Sequence, residues 1–294
     1  MPVDERPARL SVGVVGAGRV GAVLGAALEL AGHRVVAVSA VSAASRARAA
    51  DLLPAAAVLP APAVVAAADL VLLAVPDDVL PGLVDGLVRD LRAGQLLAHT
   101  SGRYGVGVLE GATRAGALPL ALHPAMTFTG RREDLARLVG ACFGITAPLP
   151  LRPIAEALVV EMGADPQWVE EDRRALYHAA LVGGSNHLAT LVNESVDLLR
   201  RCGVEDPERL LAPLLGASLD NALRSGDAAL TGPVARGDAG TVAAHVRELR
   251  QVSPETAAAY VAMARLTADR ALAAGLLDPA AAEALLDVLA GRPS

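Results

Sequence analysis

The sequence predicts a chain of two parts: an α/β first part with a doubly wound, mostly parallel sheet, and an all-α second part. Short apolar segments alternate with helical segments through the first half of the chain. These short segments are apolar at nearly every position, which is typical of parallel strands covered on both faces. From about Glu170 onward only helical patterns follow. Strand–helix alternation of this kind predicts a parallel sheet with helices on both of its faces.

Each predicted strand is a short apolar run bounded by glycine, proline or polar residues. The runs are LSVGVVGAG (10–18), HRVVAVSA (33–40), ADLVLLAVP (68–76), GQLLAHTSG (94–102), GALPLALHP (116–124) and ACFGIT (141–146). Helical patterns lie between several of them, around 79–92 and 131–139. The run DPQWVE (165–170) is predicted as the last strand, at an edge of the sheet.

The second part begins with a segment, 170–203, whose pattern predicts one helix of about 30 residues that ends at Gly203. Later helices are predicted where a capping residue precedes a proline, because proline suits the first helical position. These starts are Asp206-Pro207, Ser253-Pro254 and Asp278-Pro279. We therefore predict two domains, residues 8–168 and residues 169–294.

The composition excludes several classes of partner. The 294 residues carry a net charge of −6 and only 2% aromatic residues, which argues against binding of nucleic acid. No apolar run is long enough to span a bilayer, and the N-terminal segment MPVDERPARL lacks the pattern of a signal peptide. The two cysteines, Cys142 and Cys202, are far apart in sequence and fit a reducing compartment. We therefore expect a cytoplasmic protein with no membrane or nucleic-acid partner.

A glycine-rich turn joins the first predicted strand to the first helix. Gly16, Gly18 and Gly21 stand in the spacing G-x-G-x-x-G, with Arg19 and Val20 between the last two. Such glycines allow a tight turn and close approach of the backbone to a pyrophosphate, which the helix N-terminus attracts. The alternative is a tight turn in a protein that binds no nucleotide. The position between a strand and a helix favours dinucleotide binding.

The end of the second predicted strand indicates which dinucleotide binds. An NAD site expects an acidic residue about 20 residues after the glycines, to hold the ribose hydroxyls. The segment AVSAVSAASRARA (37–49) contains no acid and instead provides Ser39, Ser42, Ser45, Arg46 and Arg48. Hydroxyls and a guanidinium suit a 2′-phosphate, so NADP is predicted over NAD. The alternative is that these are helix-start serines and solvated arginines.

Polar or turn-forming residues follow three further predicted strands. They are Val75, Pro76 and Asp77 after the third strand, His99 and Ser101 after the fourth, and His123 and Thr127 after the fifth. Ligands of doubly wound sheets lie outside the carboxyl ends of the strands, so these residues are predicted to line one crevice. The alternative is ordinary turn chemistry, with the histidines satisfied inside the core.

The long predicted helix carries a polar band on an otherwise apolar surface. Its members lie within about 80° of arc at 100° per residue. They are His178, Ser185, Asn186 and Asn193. Gly183 and Gly184, beside them, would let another group approach the backbone closely. The band predicts the wall of a cleft or a polar dimer contact, and the glycines are equally compatible with a kink.

The segment LTGPVARGD (230–238) interrupts the helical half. An adhesion role for its Arg-Gly-Asp tripeptide would need secretion, which the N-terminus and cysteine content do not indicate. A helix connector explains Gly237 and Asp238, since aspartate is a good N-cap. Thr231 and Arg236 are instead predicted to hold a substrate anion.

Together these segments resemble the Rossmann-like oxidoreductases whose C-terminal half is the domain of unknown function 2520. Their relatives are pyrroline-5-carboxylate reductase, ketopantoate reductase and the 6-phosphogluconate dehydrogenase-like superfamily. The resemblance covers nearly the whole chain. It rests on the glycine turn, DLVLLAVPDD (69–78), HTSG (99–102), HP followed by TF at 123–128, YHAALVGGSN (177–186) and LTGPVARGD. The last two motifs are the more specific.

The resemblance implies an NADP-binding Rossmann domain, a helical domain of the 6-phosphogluconate dehydrogenase-like type, and a homodimer built through the helical halves. The pyrophosphate would lie over the three glycines, with the nicotinamide near Ser101 and the Pro76-Asp77 pair. The implied catalytic residues are His123, His178, Asn186 and Ser101, and the implied substrate anchors are Thr231 and Arg236.

The chain departs from these relatives in one respect: all 26 of its basic residues are arginine, and it has no lysine. The hydroxyacid dehydrogenases that this fold resembles use a lysine as proton donor. Histidine is the best substitute by pKa, so His123 or His178 is predicted as the donor. No His-x-x-x-His or Cys-x-x-Cys spacing indicates a metal site.

We therefore expect an NADP(H)-dependent oxidoreductase that reduces a small carboxylated keto or imino compound. The specific form favoured is reduction of ketopantoate to pantoate. The alternative is a dinucleotide-binding regulator or sensor without catalysis, which the missing lysine favours.

Overall fold

The computed structural model describes residues 9–291. The predicted domain limits, residues 8 and 294, lie outside this range, as does most of the segment MPVDERPARL. The described residues fall into two compact units that divide after Asn186. The predicted domain boundary after Trp168 remains a prediction.

The first unit contains a sheet of eight strands within the described residues. They are β1 Ser11–Val15, β2 Arg34–Ser39, β3 Ala57–Val58, β4 Leu70–Leu73, β5 Leu96–His99, β6 Leu118–Pro124, β7 Cys142–Thr146 and β8 Asp165–Trp168. The helices around it are α1 Arg19–Leu30, α2 Ala43–Leu52, α3 Ala61–Ala67, α4 Leu80–Leu87, α5 Glu110–Arg114, α6 Glu133–Leu138, α7 Arg152–Glu161 and α8 Arg174–Val182.

The strand order is β3-β2-β1-β4-β5-β6-β7-β8. All neighbouring pairs are parallel except β6 and β7, which are antiparallel. The predicted mostly parallel, doubly wound sheet is therefore confirmed. Chain order reverses between β1 and β4, and the crevice at such a reversal is where these sheets bind ligands.

Two apolar clusters cover the two faces of the sheet. Along β4, Leu70 and Leu72 belong to one cluster, whereas Val71 and Leu73 belong to the other. All four side chains are at most 3% exposed. Burial on both faces explains why the strands are apolar at nearly every position.

The second unit is helical throughout its regular structure in the described range. Its helices are α9 Leu188–Arg201, α10 Pro207–Ser225, α11 Gly232–Ala235, α12 Ala239–Val252, α13 Pro254–Ala273 and α14 Pro279–Ala290. Its core lies among the last three helices, with Val242, Ala268 and Leu285 fully buried.

The predicted helix starts of the second unit are confirmed. Asp206 accepts a hydrogen bond from the backbone N–H of Arg209 at 3.4 Å. Ser253 accepts from Thr256 at 3.2 Å. Asp278 similarly caps the first turn of α14. Each cap satisfies backbone donors that a helix N-terminus leaves without an intrahelical partner.

The predicted long helix differs from expectation in one place. A π-helical segment, Gly183–His187, lies between α8 and α9. A π-turn holds more residues than an α-turn, so the 100° spacing used for the polar band fails across it. Asn193 therefore cannot be grouped with His178 by that spacing. The adjacent glycines Gly183 and Gly184 are weak helix formers, which is the physical reason for a local departure here.

Within the described residues, no helix is long and apolar enough to cross a membrane.

Candidate active site and dinucleotide site

The glycine turn follows β1 at the point where the sheet reverses its order. Gly16 has a φ of +100°, which favours glycine. Its N–H and that of Ala17 donate to the Ser39 carbonyl at the end of β2, at 3.2 and 3.0 Å. A β-carbon on Gly16 would lie 2.5 Å from the Ala74 carbonyl oxygen. The first glycine is therefore required by the packing of the turn against the residue that follows β4.

The other two glycines of the motif have different surroundings. A β-carbon on Gly21 would lie 2.1 Å from the Gly16 carbonyl oxygen, so Gly21 allows close packing of helix and strand. A β-carbon on Gly18 would meet nothing nearer than the Ala74 carbonyl oxygen at 4.0 Å. Open space over Gly18, at the start of α1, is the space that a pyrophosphate needs. Among the described residues, no side chain caps this helix, and its first turn carries no acid.

Arg19 and Val20 form the first turn of α1. Arg19 is exposed, whereas Val20 is half-buried against the sheet core. The free N–H groups and positive dipole end of such a helix attract an anion. The residues present therefore fit a bound dinucleotide.

The predicted 2′-phosphate residues lie after β2. Ser42 caps α2 and accepts from the Ser45 N–H at 3.0 Å, as the helix-start alternative expects. Arg46 is exposed, and its Nη1 donates to the Val41 carbonyl. Ser39 is half-buried at the strand end. The position of these residues beside the glycine turn is compatible with both alternatives left by the sequence.

Arg48, from α2, lies near Arg19 at the start of α1, because both side chains contact Gly130. A β-carbon on Gly130 would lie 2.8 Å from Arg48 Nε and 2.8 Å from Arg19 Cγ. The loop after β6 therefore brings two arginines together near the start of α1. Arg48 belongs to the segment whose serines and arginines predicted NADP, and the structure adds its position beside Gly130.

The end of β4 contributes the other wall of the crevice. Val75 is half-buried, with its Cγ1 atom 3.2 Å from the position of a β-carbon on Gly16. The Pro76 carbonyl accepts from the N–H groups of Val79 and Leu80, which starts α4. Asp77 is half-buried beside it. These three predicted cofactor residues are thus near the glycine turn because β1 and β4 are neighbours.

His99, at the end of β5, is a core histidine. Its side chain is fully buried; Nε2 donates to the Gly105 carbonyl at 2.8 Å, and Nδ1 accepts from the Ser101 N–H at 3.2 Å. Burial lowers the pKa of His99 to about 4, and the charge of Arg174 acts in the same direction. The Ser101 hydroxyl accepts from the Tyr104 N–H at 3.2 Å. Both side chains stabilise the turn after β5.

Two imidazole rings meet over Gly102, and a tyrosine contacts one of them. His123 Nδ1 lies 2.9 Å from the Tyr177 hydroxyl, and the centroids of the His123 and His178 rings are 5.9 Å apart in an edge-to-face arrangement. A β-carbon on Gly102 would lie 2.8 Å from His123 Nε2 and 2.7 Å from His178 Cδ2. Two predicted catalytic residues are thus brought together, and the HTSG turn provides the glycine that makes room for them.

A second glycine makes room for Tyr177. In the antiparallel pair β6–β7, His123 stands opposite Gly144. A β-carbon on Gly144 would lie 2.3 Å from the Tyr177 hydroxyl oxygen. The pairing of these strands therefore determines where the tyrosine and the histidine meet.

Arg174 packs beside the rings of His123 and Tyr177 and is 1% exposed. It donates from Nε to the Tyr104 carbonyl at 2.9 Å, from Nη1 to the Gly144 carbonyl at 3.0 Å and, at 3.5 Å, from Nη2 to the Ser101 carbonyl. Burial lowers the pKa of Arg174, but an arginine remains protonated in proteins. A fixed positive charge therefore lies below the two histidines.

Burial, reinforced by the charge of Arg174, lowers the pKa of His123 to about 4. His178 and His99 contribute further in the same direction. His123 is therefore neutral at physiological pH. The neutral ring donates a hydrogen bond from one nitrogen and accepts one at the other, and it is not a protonated imidazolium before the substrate binds.

A cleft of about 220 Å³ opens beside the rings. Its lining consists of His123, Pro124, Ala125, Met126, Thr127, His178, Leu181, Val182, Ser185 and Asn186. The lining combines hydroxyl, amide and imidazole groups with apolar side chains, and it includes no Asp, Glu or Arg. The cleft thus contains three of the four predicted catalytic residues. Ser101 lies under the turn and does not line it.

Sequence reasoning missed two members of this site, Arg174 and Tyr177. Arg174 precedes Tyr177 by three positions and His178 by four, so all three lie on neighbouring positions of one helix surface. Tyr177 stands inside the quoted motif YHAALVGGSN. That spacing was the available signal.

The predicted substrate anchors lie in the second unit. Thr231 precedes α11, and Arg236 follows it and is exposed. Asp238 caps α12 by accepting from the Thr241 N–H at 3.0 Å, so the predicted connector role is confirmed. The roles of Thr231 and Arg236 towards substrate remain predictions.

Across residues 9–291, no group of three or more His, Cys, Asp or Glu side chains is arranged to hold a metal ion.

The sheet order and the glycine turn at its reversal are those of α/β proteins of the dinucleotide-binding type. The sequence model of the Rossmann-like domain matches residues 2–124, and that of the domain of unknown function 2520 matches residues 141–267. The chain thus matches a Rossmann-like domain followed by this second domain.

Solved structures share the fold. A candidate NADP oxidoreductase from Bacteroides fragilis is 22% identical, aligns over 89% of this chain and 98% of its own, and has a TM-score of 0.75. Pyrroline carboxylate reductase from Plasmodium falciparum, with NADP bound, is 11% identical over 88% and 98%, with a TM-score of 0.55. A reductive aminase from Aspergillus terreus, with NADPH and ethyl-5-oxohexanoate, is 19% identical over 97% and 96%, with a TM-score of 0.56. No curated protein matches the chain in sequence.

Proposed function

We propose that this protein is an NADPH-dependent oxidoreductase that reduces a small keto or imino compound carrying a carboxylate. The observation that carries the proposal is the pair His123 and His178, packed over Gly102 and bordering a cleft at the carboxyl end of β6. The glycine turn follows the carboxyl end of β1. Strands β1, β4, β5 and β6 are parallel, so the glycine turn and the cleft both lie at the carboxyl ends of the strands. The bound NADP and NADPH of two similar structures support the cofactor.

The residues that would hold the cofactor are those around the glycine turn. Gly18 leaves space for the pyrophosphate, and the start of α1 supplies its N–H groups. Arg46 and Arg48 are the guanidinium groups available near β2 and the turn for a 2′-phosphate. NADPH, when bound, supplies a hydride to an electron-poor carbon.

The cleft residues would orient the substrate and supply its proton. His123 is neutral, so it can donate one N–H to a carbonyl oxygen or imine nitrogen. His178, Ser185 and Asn186 border the same space and offer further hydrogen bonds. The apolar lining, with Met126 and Leu181, would exclude water from the reacting carbon.

A substrate carboxylate would need a cation, and the cleft lining contains no arginine. We therefore retain Arg236, with Thr231, as the proposed anchor. Replacing Arg236 with alanine should raise the substrate KM at least tenfold while leaving the NADPH dissociation constant within about twofold. An equal effect on both constants would contradict this assignment.

The proposed function is tested by mixing purified protein with NADPH and either ketopantoate or pyrroline-5-carboxylate, and following the near-ultraviolet absorbance of NADPH. We expect oxidation with at least one of these acids, and loss of most activity in His123→Asn. Oxidation of NADPH with the imine alone would select imine reduction over ketopantoate reduction. Tight NADPH binding without turnover on either acid or related keto and imino acids would favour the sensor alternative.

We also propose a homodimer built through the helical unit. Exposed apolar side chains recur along α10 at Leu210, Leu214, Leu219 and Leu223, which are 49–79% exposed. Exposed apolar patches of this kind mark association surfaces. Light scattering should give twice the mass of the chain, and a monomer at micromolar concentration would contradict the proposal.

A further inference from the structure

The hydrogen bond between His123 and Tyr177 joins Nδ1 to the hydroxyl oxygen at 2.9 Å. The Tyr177 hydroxyl also lies against the backbone of Gly144. The hydroxyl has one hydrogen, and we assign it to the bond with His123 Nδ1. A neutral imidazole that accepts at Nδ1 carries its proton on Nε2.

The Nε2 side of His123 faces away from this partner. It lies against Gly102, which brings no side chain to hydrogen bond with it, and the ring borders the cleft. His123 lines the cleft, and Nε2 is the ring nitrogen that Tyr177 does not engage, so it is the nitrogen left for a bound substrate.

We propose that Tyr177 and His123 form a two-residue proton relay that replaces the missing lysine. The inference rests on the proposed reductase function. A bound dihydronicotinamide would supply a hydride to the substrate carbon, and His123 Nε2 would then give its proton to the substrate oxygen or nitrogen. In the same step His123 Nδ1 takes the proton of the Tyr177 hydroxyl. Tyr177 is left as a phenolate, which then recovers a proton from solvent, to which its half-buried side chain is partly open.

The charges around the pair support this direction of transfer. Arg174 lies 5.7 Å from the centroid of the Tyr177 ring, so its positive charge stabilises the phenolate. Burial raises the pKa of Tyr177, and Cys142 adds to this, whereas Arg174 and the Gly144 backbone lower it. The other groups that face His123 are His178 and His99. An alkoxide is far more basic than a phenolate, so the overall transfer is downhill.

The competing explanation is that the bond only ties α8 to β6. The protein offers a matched control for this explanation, because His245 and Tyr260 in the second unit form a pair of the same geometry. Their Nδ1–hydroxyl distance is 2.9 Å, and their rings are edge-to-face with centroids 5.8 Å apart. Tyr177→Phe and Tyr260→Phe each remove one hydroxyl and leave the ring in place.

The first measurement needs no substrate. In the free protein, ¹⁵N NMR of the imidazoles, assigned with His123→Asn, reports which ring nitrogen of His123 carries the proton. We expect the Nε2–H form in the wild type and a mixture of the two forms in Tyr177→Phe. Tyr260→Phe should leave the His123 signals unchanged. An Nδ1–H form in the wild type would overturn the relay.

The second measurement uses turnover. Tyr177→Phe should lower kcat at least tenfold with KM within about twofold, whereas Tyr260→Phe should change neither. The wild-type kcat should stay level between about pH 6 and pH 9. A fall of tenfold per pH unit across that range would show that an imidazolium is the donor and would overturn the relay.

The two measurements separate the failure of the relay from that of the proposed function. Suppose that the wild-type protein reduces none of the keto and imino acids but holds His123 in the Nε2–H form. That result overturns the reductase function and therefore the relay, but it supports the direction of the His123–Tyr177 hydrogen bond. An active enzyme with full kcat in Tyr177→Phe overturns the relay alone.

Discussion

His123 Nε2 and Gly102 are in such close contact that a β-carbon on Gly102 would lie only 2.8 Å from that nitrogen. The same β-carbon would lie 2.7 Å from His178 Cδ2. One backbone position therefore fixes the spacing of both histidines, and the consequences can be tested by substitution.

Gly102→Ala should lower kcat at least tenfold, because the added methyl group must displace both imidazoles from the cleft edge. The affinity for NADPH should change by no more than about twofold. Steady-state kinetics and calorimetric titration measure the two quantities. Gly86→Ala is the control, because Gly86 lies in α4 with no heavy atom within 4 Å of its β-carbon position. An unchanged kcat in Gly102→Ala would show that the positions of His123 and His178 do not matter for the reaction.

Gly18→Ala should abolish tight NADPH binding and leave Tm almost unchanged. The free protein has room for this methyl group, since the Ala74 carbonyl oxygen is 4.0 Å from the β-carbon position. A bound pyrophosphate would collide with the methyl group, because it needs the same space. Gly21→Ala should instead lower Tm, because its β-carbon would lie 2.1 Å from the Gly16 carbonyl oxygen. Differential scanning calorimetry and a binding titration separate the two cases. Normal NADPH affinity in Gly18→Ala would place the dinucleotide elsewhere.

Arg46→Ala should weaken NADPH binding by about tenfold and leave NADH binding unchanged, because the guanidinium is proposed to contact the 2′-phosphate. Fluorescence titration with both cofactors measures this difference. Arg114, an exposed arginine paired with Glu110 on α5, provides the charge-matched control. Equal losses for NADH and NADPH would mean that Arg46 acts on folding or on another part of the cofactor. No loss would leave Arg48 and Arg19 as the candidates.

The free energy of unfolding should fall as pH decreases from about 6.5 to about 4. His99 has a pKa of about 4 in the folded protein, mainly because of burial, against about 6.5 when unfolded. The unfolded chain therefore binds more protons in this interval, and acid favours it. The His99 contribution is on the order of 3 kcal/mol. Urea titrations at several pH values should show a smaller loss in His99→Gln, and equal slopes in the two proteins would contradict the burial effect.

The fold class could be predicted because strands buried on both faces must be apolar throughout. Val71 and Leu73 contact one cluster and Leu70 and Leu72 the other, so no polar residue interrupts β4. The helix caps could be predicted because Asp206 and its counterparts act on residues two or three positions away. Short elements such as β3, Ala57–Val58, were missed because two residues carry no periodic pattern.

The candidate site was only partly predictable, and the reason lies in tertiary contacts. His123 and His178 are visible as polar residues at a strand end and on a helix. Their partner Tyr177 depends on Gly144, which the antiparallel pairing of β6 and β7 places opposite His123. The sequence shows no signal for that register. His99 looked equivalent to His123, but the backbone of its own turn satisfies both ring nitrogens.

The central claim is that hydride passes from NADPH to a substrate in the cleft beside His123. The most direct measurement incubates the protein with NADPH deuterated at the transferable position of the nicotinamide, together with keto and imino acids, and determines product mass. The account predicts one deuterium per product molecule with wild-type protein and at least tenfold less product with Gly102→Ala. Absence of deuterated product from every acid, with NADPH bound, would contradict it.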